Sequence, residues 1–162
     1  MTRIPYDEMK ATIKMAFTLA GMPEDKAEIC ARTHAESSMD GIYSHGLNRV
    51  ERFVEYIGKG WVDGHAAPSL DLSLGAMEVY NGHLGPGITN AIFAMDRAVE
   101  IASKNGMGLV SLNNTTHWMR GGAYGWQAAE KGFIGICWTN TESCMPAWGA
   151  TSSGIGNNPF IL

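Results

Sequence analysis

The sequence predicts an α/β protein in which an N-terminal helical unit, residues 1–60, precedes a mixed sheet with flanking helices, residues 61–162. Three observations support this fold class. Apolar residues fall at helical spacing in the first third, they alternate with polar residues in the middle, and apolar strand-like runs flank a helix near the end. A chain of 162 residues that is 45% hydrophobic can bury one respectable core.

Three helices are predicted in the first unit. The first ends at Gly21 after an apolar stripe. The second covers Glu24–Met39, and its apolar face includes His34, for which we expect a packing role rather than a ligand role. The third covers residues 47–57 and is expected to begin near Gly46.

The sequence pattern in the middle of the chain predicts a hairpin, followed by the longest helix. Leucines alternate with polar residues over residues 70–74, and a Gly-Ala turn and a second short strand follow. Residues 85–90 carry the first two glycines of a dinucleotide-binding fingerprint, but Asn90 stands where the third belongs, and no buried parallel strand is predicted before it. We therefore discount a nucleotide role for this loop. The helix that follows it is expected to end at Gly106.

Residues 108–112 and 133–138 are predicted as buried strands on either side of a helix, which makes a right-handed βαβ unit. Ligands of α/β sheets bind beyond the carboxyl ends of such strands. Polar loops follow both strands, and the candidate binding side chains in them are His117, Arg120, Thr139, Asn140 and Thr141. For His117, a loop residue bonded to the backbone is an equally good interpretation.

A short polar stretch, residues 42–49, concentrates groups suited to acid–base chemistry between two predicted helices. It contains Ser44, His45, Asn48 and Arg49. If the third helix begins where predicted, His45 and Arg49 share one of its faces, so the arginine could clamp a carboxylate while the histidine exchanges a proton with the neighbouring oxygen. On spacing alone, a capping serine, a surface histidine and a solvated arginine remain the simpler interpretation.

Composition excludes several classes of function. The net charge of -4, the pI near 5.7 and the absence of a basic run argue against a nucleic-acid surface. The mean hydropathy of -0.09 and the lack of a long apolar run exclude a membrane span, and the N-terminus has no apolar signal core, so we expect a cytoplasmic protein. Cys30, Cys137 and Cys144 are scattered, which indicates reduced thiols. Since no histidines pair at ligand spacing, we expect no metal site.

The polar stretch resembles a family signature. Tyr43-Ser44-His45-Gly46-Leu47-Asn48-Arg49 is similar to the Ser-His-Gly-x-x-Arg signature of the malate/L-lactate dehydrogenase family, which is unrelated to the common lactate dehydrogenases. Residues 117–132, 134–140 and 146–150 resemble the same family, so the resemblance covers the whole chain in register. It implies a non-Rossmann α/β fold that binds NAD, which agrees with the incomplete glycine fingerprint.

The resemblance also implies an activity. Members of the family reduce 2-keto acids, or oxidise 2-hydroxy acids, with NADH or NADPH, as homodimers in the cytoplasm. The longer runs indicate a branch that reduces a keto sugar acid with NADH. By resemblance, His45 is the proton donor, and Ser44 and Arg49 surround the substrate, with Arg49 neutralising its carboxylate. Further substrate or cofactor contacts are implied for Asn48, His117, Arg120, Thr139, Asn140, Thr141 and Trp148.

Two alternative functions remain. One is a malate-, lactate- or sulfolactate-type 2-hydroxy acid dehydrogenase, although Tyr43 replaces the aspartate usual in malate-type relatives. The other is a fragment that acts only in folding or dimerisation, because relatives are considerably longer and residues 158–162 resemble the start of a strand. Residues 156–159 also depart from the family's usual Gly-Thr-Asn-Pro. We therefore expect an N-terminal part that is inactive by itself.

Overall fold

The computed structural model describes residues 3–162, and the chain divides into two compact units between Arg120 and Gly121. The described part of the first unit contains α1 (Tyr6–Leu19), α2 (Glu24–Met39), α3 (Val50–Gly58), β1 (Ser69–Leu74), β2 (Met77–Asn81), α4 (Gly87–Asn105) and β3 (Leu109–Asn113). The second unit contains α5 (Gly122–Glu130), β4 (Cys137–Trp138), β5 (Ser143–Pro146), β6 (Ser153–Gly156) and β7 (Phe160–Ile161). The predicted α/β class with a mixed sheet is confirmed, and the predicted boundary near residue 60 stays a prediction.

Helices α1, α2 and α3 share a buried core in the first unit. The Phe17 ring of α1 packs edge-on against Phe53 of α3 and His34 of α2, at centroid distances of 5.0 and 5.3 Å. His34 is fully buried, and its Nδ1–H donates to the Cys30 carbonyl oxygen at 2.7 Å. The first two predicted helices are confirmed, and so is the packing role of His34.

The third helix begins later than predicted. Residues 43–49 form two consecutive 3₁₀ turns, and α3 starts only at Val50. Gly46 separates the turns with a non-helical backbone, φ -115° and ψ -128°. A β-carbon there would lie 2.2 Å from Ser38 Oγ, so close packing against α2 accompanies this break. The prediction that the imidazole and the guanidinium share one helical face was therefore wrong.

The three strands of the first unit form one sheet in the order β1-β2-β3. Strands β1 and β2 make the predicted antiparallel hairpin, with Leu74 opposite Met77. Strand β2 pairs in parallel with β3 and α4 connects them, so the βαβ unit lies one element earlier than predicted. Helix α4 is the predicted long helix, and it ends at Gly106, whose φ of 81° favours glycine.

In the second unit, the predicted buried strand over residues 133–138 was wrong. Of these residues, Cys137 and Trp138 form β4, which pairs antiparallel with β7 rather than in parallel with β3. A β-carbon at Gly135 would lie 2.9 Å from the Ala128 β-carbon, so this segment packs closely against α5 instead of joining a ladder. Strands β5 and β6 form another antiparallel pair, and α5 confirms the predicted helix.

The glycine loop before α4 is filled by protein groups. A parallel strand, β2, does precede it, so that ground for discounting a nucleotide role was wrong. However, the Gly87 amide donates to Thr116 Oγ1 at 2.9 Å, and Thr116 Oγ1 donates to the Gly85 carbonyl oxygen at 2.9 Å. Asn90 Nδ2 also donates to Thr115 Oγ1 at 2.8 Å. Close packing explains a glycine here without phosphate binding, because a β-carbon at Gly87 would lie 2.1 Å from the Thr116 carbonyl oxygen.

No described helix is long and apolar enough to cross a membrane. Among residues 3–162, no group of three or more His, Cys, Asp or Glu side chains is arranged to bind a metal ion. The cysteines are free thiols; Cys30 and Cys137 are buried and Cys144 is exposed.

Candidate active site

The polar stretch, residues 42–49, follows α2, and the way this helix ends determines the path of the stretch. Gly41 has a left-handed backbone with φ 81°. Its amide donates to the Ser38 carbonyl oxygen at 3.1 Å. The Ile42 amide donates to the Ser37 carbonyl oxygen at 2.8 Å. This Schellman motif ends the helix and reverses the chain, so that the 3₁₀ turns lie beside the last turn of α2.

Ser38 binds the middle of this stretch. Its Oγ accepts the Leu47 amide at 2.8 Å and donates to the His34 carbonyl oxygen at 3.1 Å. This residue was not predicted from the sequence. The available signal was its place on the apolar face of α2, four residues after His34, where a buried hydroxyl needs hydrogen-bond partners.

His45, the predicted proton donor, lies with the two residues predicted to surround the substrate. Ser44 Oγ and His45 Nδ1 are 2.9 Å apart. Arg49 Nε donates to the Ser44 carbonyl oxygen at 3.0 Å, which places the guanidinium at the same turn. Partial burial, and after it the positive charge of Arg49, hold the pKa of His45 below its usual value. The structure therefore brings together the three residues predicted as catalytic.

His117 reaches the same place from the loop after β3. Its ring centroid lies 5.9 Å from that of His45. Its Nδ1 accepts the Met119 amide at 2.8 Å, so the proton of the neutral ring is on Nε2. Desolvation, and then the charges of Arg49, His45 and His34, lower the pKa of His117 to about 4. The Met119 bond favours the same neutral state, because a protonated Nδ1 could not accept the amide.

At neutral pH the site combines two neutral imidazoles with one permanent cation, Arg49. A carboxylate bound there would raise the pKa of both imidazoles, since an opposite charge favours the protonated ring. The arrangement therefore suits an acid whose neighbouring oxygen exchanges a proton with histidine.

Arg120 and Asn48 complete the predicted positions of the first unit. Arg120 Nη1 donates to the carboxylate of Asp40, the residue that follows α2. This ion pair joins the loop that carries His117 to the end of α2. Asn48 is exposed in the second 3₁₀ turn. Substrate or cofactor contacts of Arg120 and Asn48 stay predictions.

The sequence profile of the malate/L-lactate dehydrogenase family matches residues 4–162. The chain belongs to the malate/L-lactate dehydrogenase family. The family predicted from the Ser-His-Gly signature is therefore confirmed.

Individual relatives within the malate/L-lactate dehydrogenase family give a more specific likeness. The chain is 48% identical over 160 residues to the 2,3-diketo-L-gulonate reductase of Mannheimia succiniciproducens. The aligned residues cover 99% of this chain and 48% of that protein. Identity to the protein of the same name from Haemophilus influenzae is 46%, with the same two coverages. The chain thus spans about half the length of the curated relatives it matches.

A solved structure shows the same fold. The malate dehydrogenase from Pyrococcus horikoshii OT3 superposes with a TM-score of 0.92 at 31% identity, covering 98% of this chain and 46% of that chain. The mixed α/β arrangement described above is therefore the fold of malate/L-lactate dehydrogenases.

The remaining positions implied by the malate/L-lactate dehydrogenase resemblance lie in the second unit. The Thr141 amide and Oγ1 both donate to Asn158 Oδ1, at 2.7 and 3.0 Å. The departure of residues 156–159 from the family's usual Gly-Thr-Asn-Pro does not affect Asn158, so both hydrogen bonds from Thr141 are present. The others are Thr139, which is half-buried, and Asn140 and Trp148, which are exposed. Their contacts with substrate or cofactor stay predictions.

Proposed function

We propose that this chain supplies the substrate-binding and proton-donating side of an NADH-dependent reductase that acts on a keto sugar acid, 2,3-diketo-L-gulonate, to give 3-dehydro-L-gulonate. The observation that carries the proposal is the cluster of Ser44, His45 and Arg49 beside His117. The 48% identity to a protein named for this activity supports the choice of substrate.

Arg49 binds the substrate's carboxylate in this proposal. Its Nε is bonded to the Ser44 carbonyl oxygen, which fixes the guanidinium while its other nitrogens can form a fork on an acid. Fixing the acid group places the neighbouring carbonyl oxygen within the reach of an imidazole. The same anion cancels the charge that keeps the pKa of His45 low. Substrate binding is therefore coupled to proton uptake by His45.

His45 then gives its proton to the carbonyl oxygen as the carbonyl carbon is reduced. Ser44 can support both states of the ring, because a hydroxyl donates to a neutral Nδ1 and accepts from a protonated one. The neutral His117 beside it offers an Nε2–H donor that can orient the substrate's oxygens. A histidine whose pKa moves toward neutrality on binding is well matched to this task.

The family implies a nicotinamide cofactor, which supplies the hydride when bound. Its phosphates do not fit the glycine loop before α4, because the Gly87 amide is already bonded to Thr116 Oγ1. The acid and carbonyl of the substrate do fit the residues present, since a guanidinium and two imidazoles converge there. We therefore assign the cofactor's phosphates to no residue of this chain. The preference for NADH, the homodimer and the cytoplasmic location belong to the same proposal.

Steady-state assays test the proposed function. Reduction of 2,3-diketo-L-gulonate is compared with that of oxaloacetate, pyruvate and sulfopyruvate, with NADH and NADPH in turn. The assays use this chain and a chimera in which it replaces the matching 160 residues of the Mannheimia succiniciproducens protein. We expect the chimera to have its highest kcat/KM with the sugar acid and NADH. A preference for oxaloacetate or sulfopyruvate would overturn the substrate, and a chimera that reduces none of them would overturn the function.

A further inference from the structure

We propose that Ser38 is a positioning residue for this site and that its hydroxyl fixes the two consecutive 3₁₀ turns that carry His45 and Arg49. The proposal rests on the proposed function, because that function gives the positions of His45 and Arg49 their importance. The evidence for it is the geometry around Ser38. Ser38 lies in the last turn of α2 and is 9% exposed. Its Oγ accepts the amide of Leu47 at 2.8 Å and so joins the helix to residues 43–49, the catalytic turn of this proposal.

The second bond of Ser38 distinguishes it from its neighbour. Serine and threonine inside helices commonly bond back to the carbonyl oxygen one turn earlier. Ser37 does so, since its Oγ donates to the Thr33 carbonyl oxygen at 2.8 Å and the residue is 3% exposed. Ser38 makes the same kind of bond to His34 and also receives the Leu47 amide. A hydroxyl can donate and accept at once, so both bonds form together.

The bond to Leu47 falls between the two functional groups. His45 ends the first 3₁₀ turn and Arg49 ends the second. The intervening Gly46 fits only without a side chain, because a β-carbon would lie 2.2 Å from Ser38 Oγ and 2.8 Å from Ser38 N. Gly46 therefore packs directly on Ser38, and a shift of Gly46 would move the His45 imidazole relative to the Arg49 guanidinium.

Ser38 also links the site to the core. Its hydroxyl donates to the carbonyl oxygen of His34, whose ring is packed against Phe17 and Phe53. The segment that supports the catalytic turn is thus itself immobilised by aromatic packing. This connection supports a positioning role because the turns are attached to a part of α2 that is fully buried at His34.

The test compares Ser38→Ala with Ser37→Ala in the 162-residue chain. Both variants lose a buried hydroxyl and a bond one turn back along α2, but the structure shows the Leu47 bond only for Ser38. In Ser38→Ala we expect amide exchange of Leu47 to accelerate about tenfold, the upper range for one hydrogen bond. We also expect the pKa of His45, followed by NMR, to rise toward its ordinary value as the turn loosens. Ser37→Ala should leave both readouts unchanged.

Activity provides a separate readout in the chimera described above. A misplaced catalytic group can cost roughly 100-fold, so Ser38→Ala is expected to lower kcat by about 10- to 100-fold, with a smaller change in KM. Failure of the proposed function would leave the unmodified chimera inactive but would not remove the exchange and titration differences. The two failures are therefore distinguishable.

Equal Leu47 exchange and equal His45 titration in the two alanine variants would overturn the proposal. If Ser38→Ala does not fold, amide exchange of Leu47 in the wild-type chain tests the proposal instead. A Leu47 amide that exchanges as fast as in an unstructured peptide contradicts the anchoring bond, and a protected amide supports it.

Discussion

Replacing Glu78 with glutamine should destabilise the first unit, because its buried carboxylate accepts hydrogen bonds that link β2 to α4. Arg97 donates Nε to Oε2 and Nη2 to Oε1, each at 2.7 Å, and the Tyr80 hydroxyl donates to Oε2 at 2.9 Å. Glu78 is 5% exposed. Glutamine has one acceptor oxygen and an amide group that donates, so at least one bond to Arg97 is lost and a donor faces a donor.

The expected loss of unfolding free energy follows from the charge of Arg97 and from the exposed fraction of its side chain. A hydrogen bond to a charged group contributes about 1.5–3 kcal/mol. The Arg97 side chain is 33% exposed and its Nη1 still bonds Glu100, so water and Glu100 offset part of the loss. We therefore expect the free energy of unfolding to fall by about 2 kcal/mol, or Tm by roughly 4–8 °C. Urea and thermal unfolding followed by circular dichroism measure both.

Glu100→Gln is the matched control. It removes the other carboxylate from the same guanidinium, but the Glu100 side chain is 62% exposed. An exposed pair of this kind should contribute less than about 1 kcal/mol. Equal destabilisation by Glu78→Gln and Glu100→Gln would refute the reasoning from burial.

Acid titration checks the same network independently. The bonds from Arg97, together with that from Tyr80, lower the pKa of Glu78 from 4.5 to about 2. A folded-state pKa below the unfolded value gives stability that is fully present above pH 4.5 and is lost as the pH falls through about 2. The difference between wild type and Glu78→Gln should therefore shrink between these two pH values.

Three further predictions concern the candidate site. His45→Gln in the active chimera should lower kcat about 10²–10⁴-fold without weakening cofactor binding, because an amide cannot donate a catalytic proton; unchanged turnover would remove His45 as donor. Arg49→Lys should raise KM for keto acids, since ammonium cannot form the planar fork. If ketones without a carboxylate respond equally, Arg49 is structural. Thermal melts should show stability falling below pH 6.5 toward pH about 4, because His117 folds with a lowered pKa. His117→Asn should make that slope less steep, and the slope that remains belongs to buried His34, whose pKa is also lowered by desolvation.

Local sequence patterns predicted most helices and the hairpin. Helix α2 has the bounds predicted for it, since Pro23 precedes its first turn and Gly41 follows its last. The hairpin was predicted by alternating leucines, and α4 by its apolar spacing and its terminal Gly106. Each of these signals lies within one element or its ends, which is why a single sequence is enough to find them.

The errors and omissions arose from contacts between segments. The late start of α3 accompanies the close packing of Gly46 on Ser38. The shortness of β4 accompanies the close packing of Gly135 on α5. The signature residues of the site are contiguous and could be found, but the approach of His117 to His45 requires the loop after β3 to return to α2. No spacing rule covers such a contact, because periodicity describes only residues within the same element.

The Asp40–Arg120 ion pair makes the walls of the site sensitive to ionic strength. The two side chains are 48% and 32% exposed, and dissolved ions weaken the attraction between charges that are exposed to solvent. Added salt therefore weakens the attachment of the His117 loop to the end of α2, and it also weakens the attraction of Arg49 for an acid. Salt should lower the affinity for an anionic substrate by both routes, while the apolar core around Phe17 keeps α1, α2 and α3 folded.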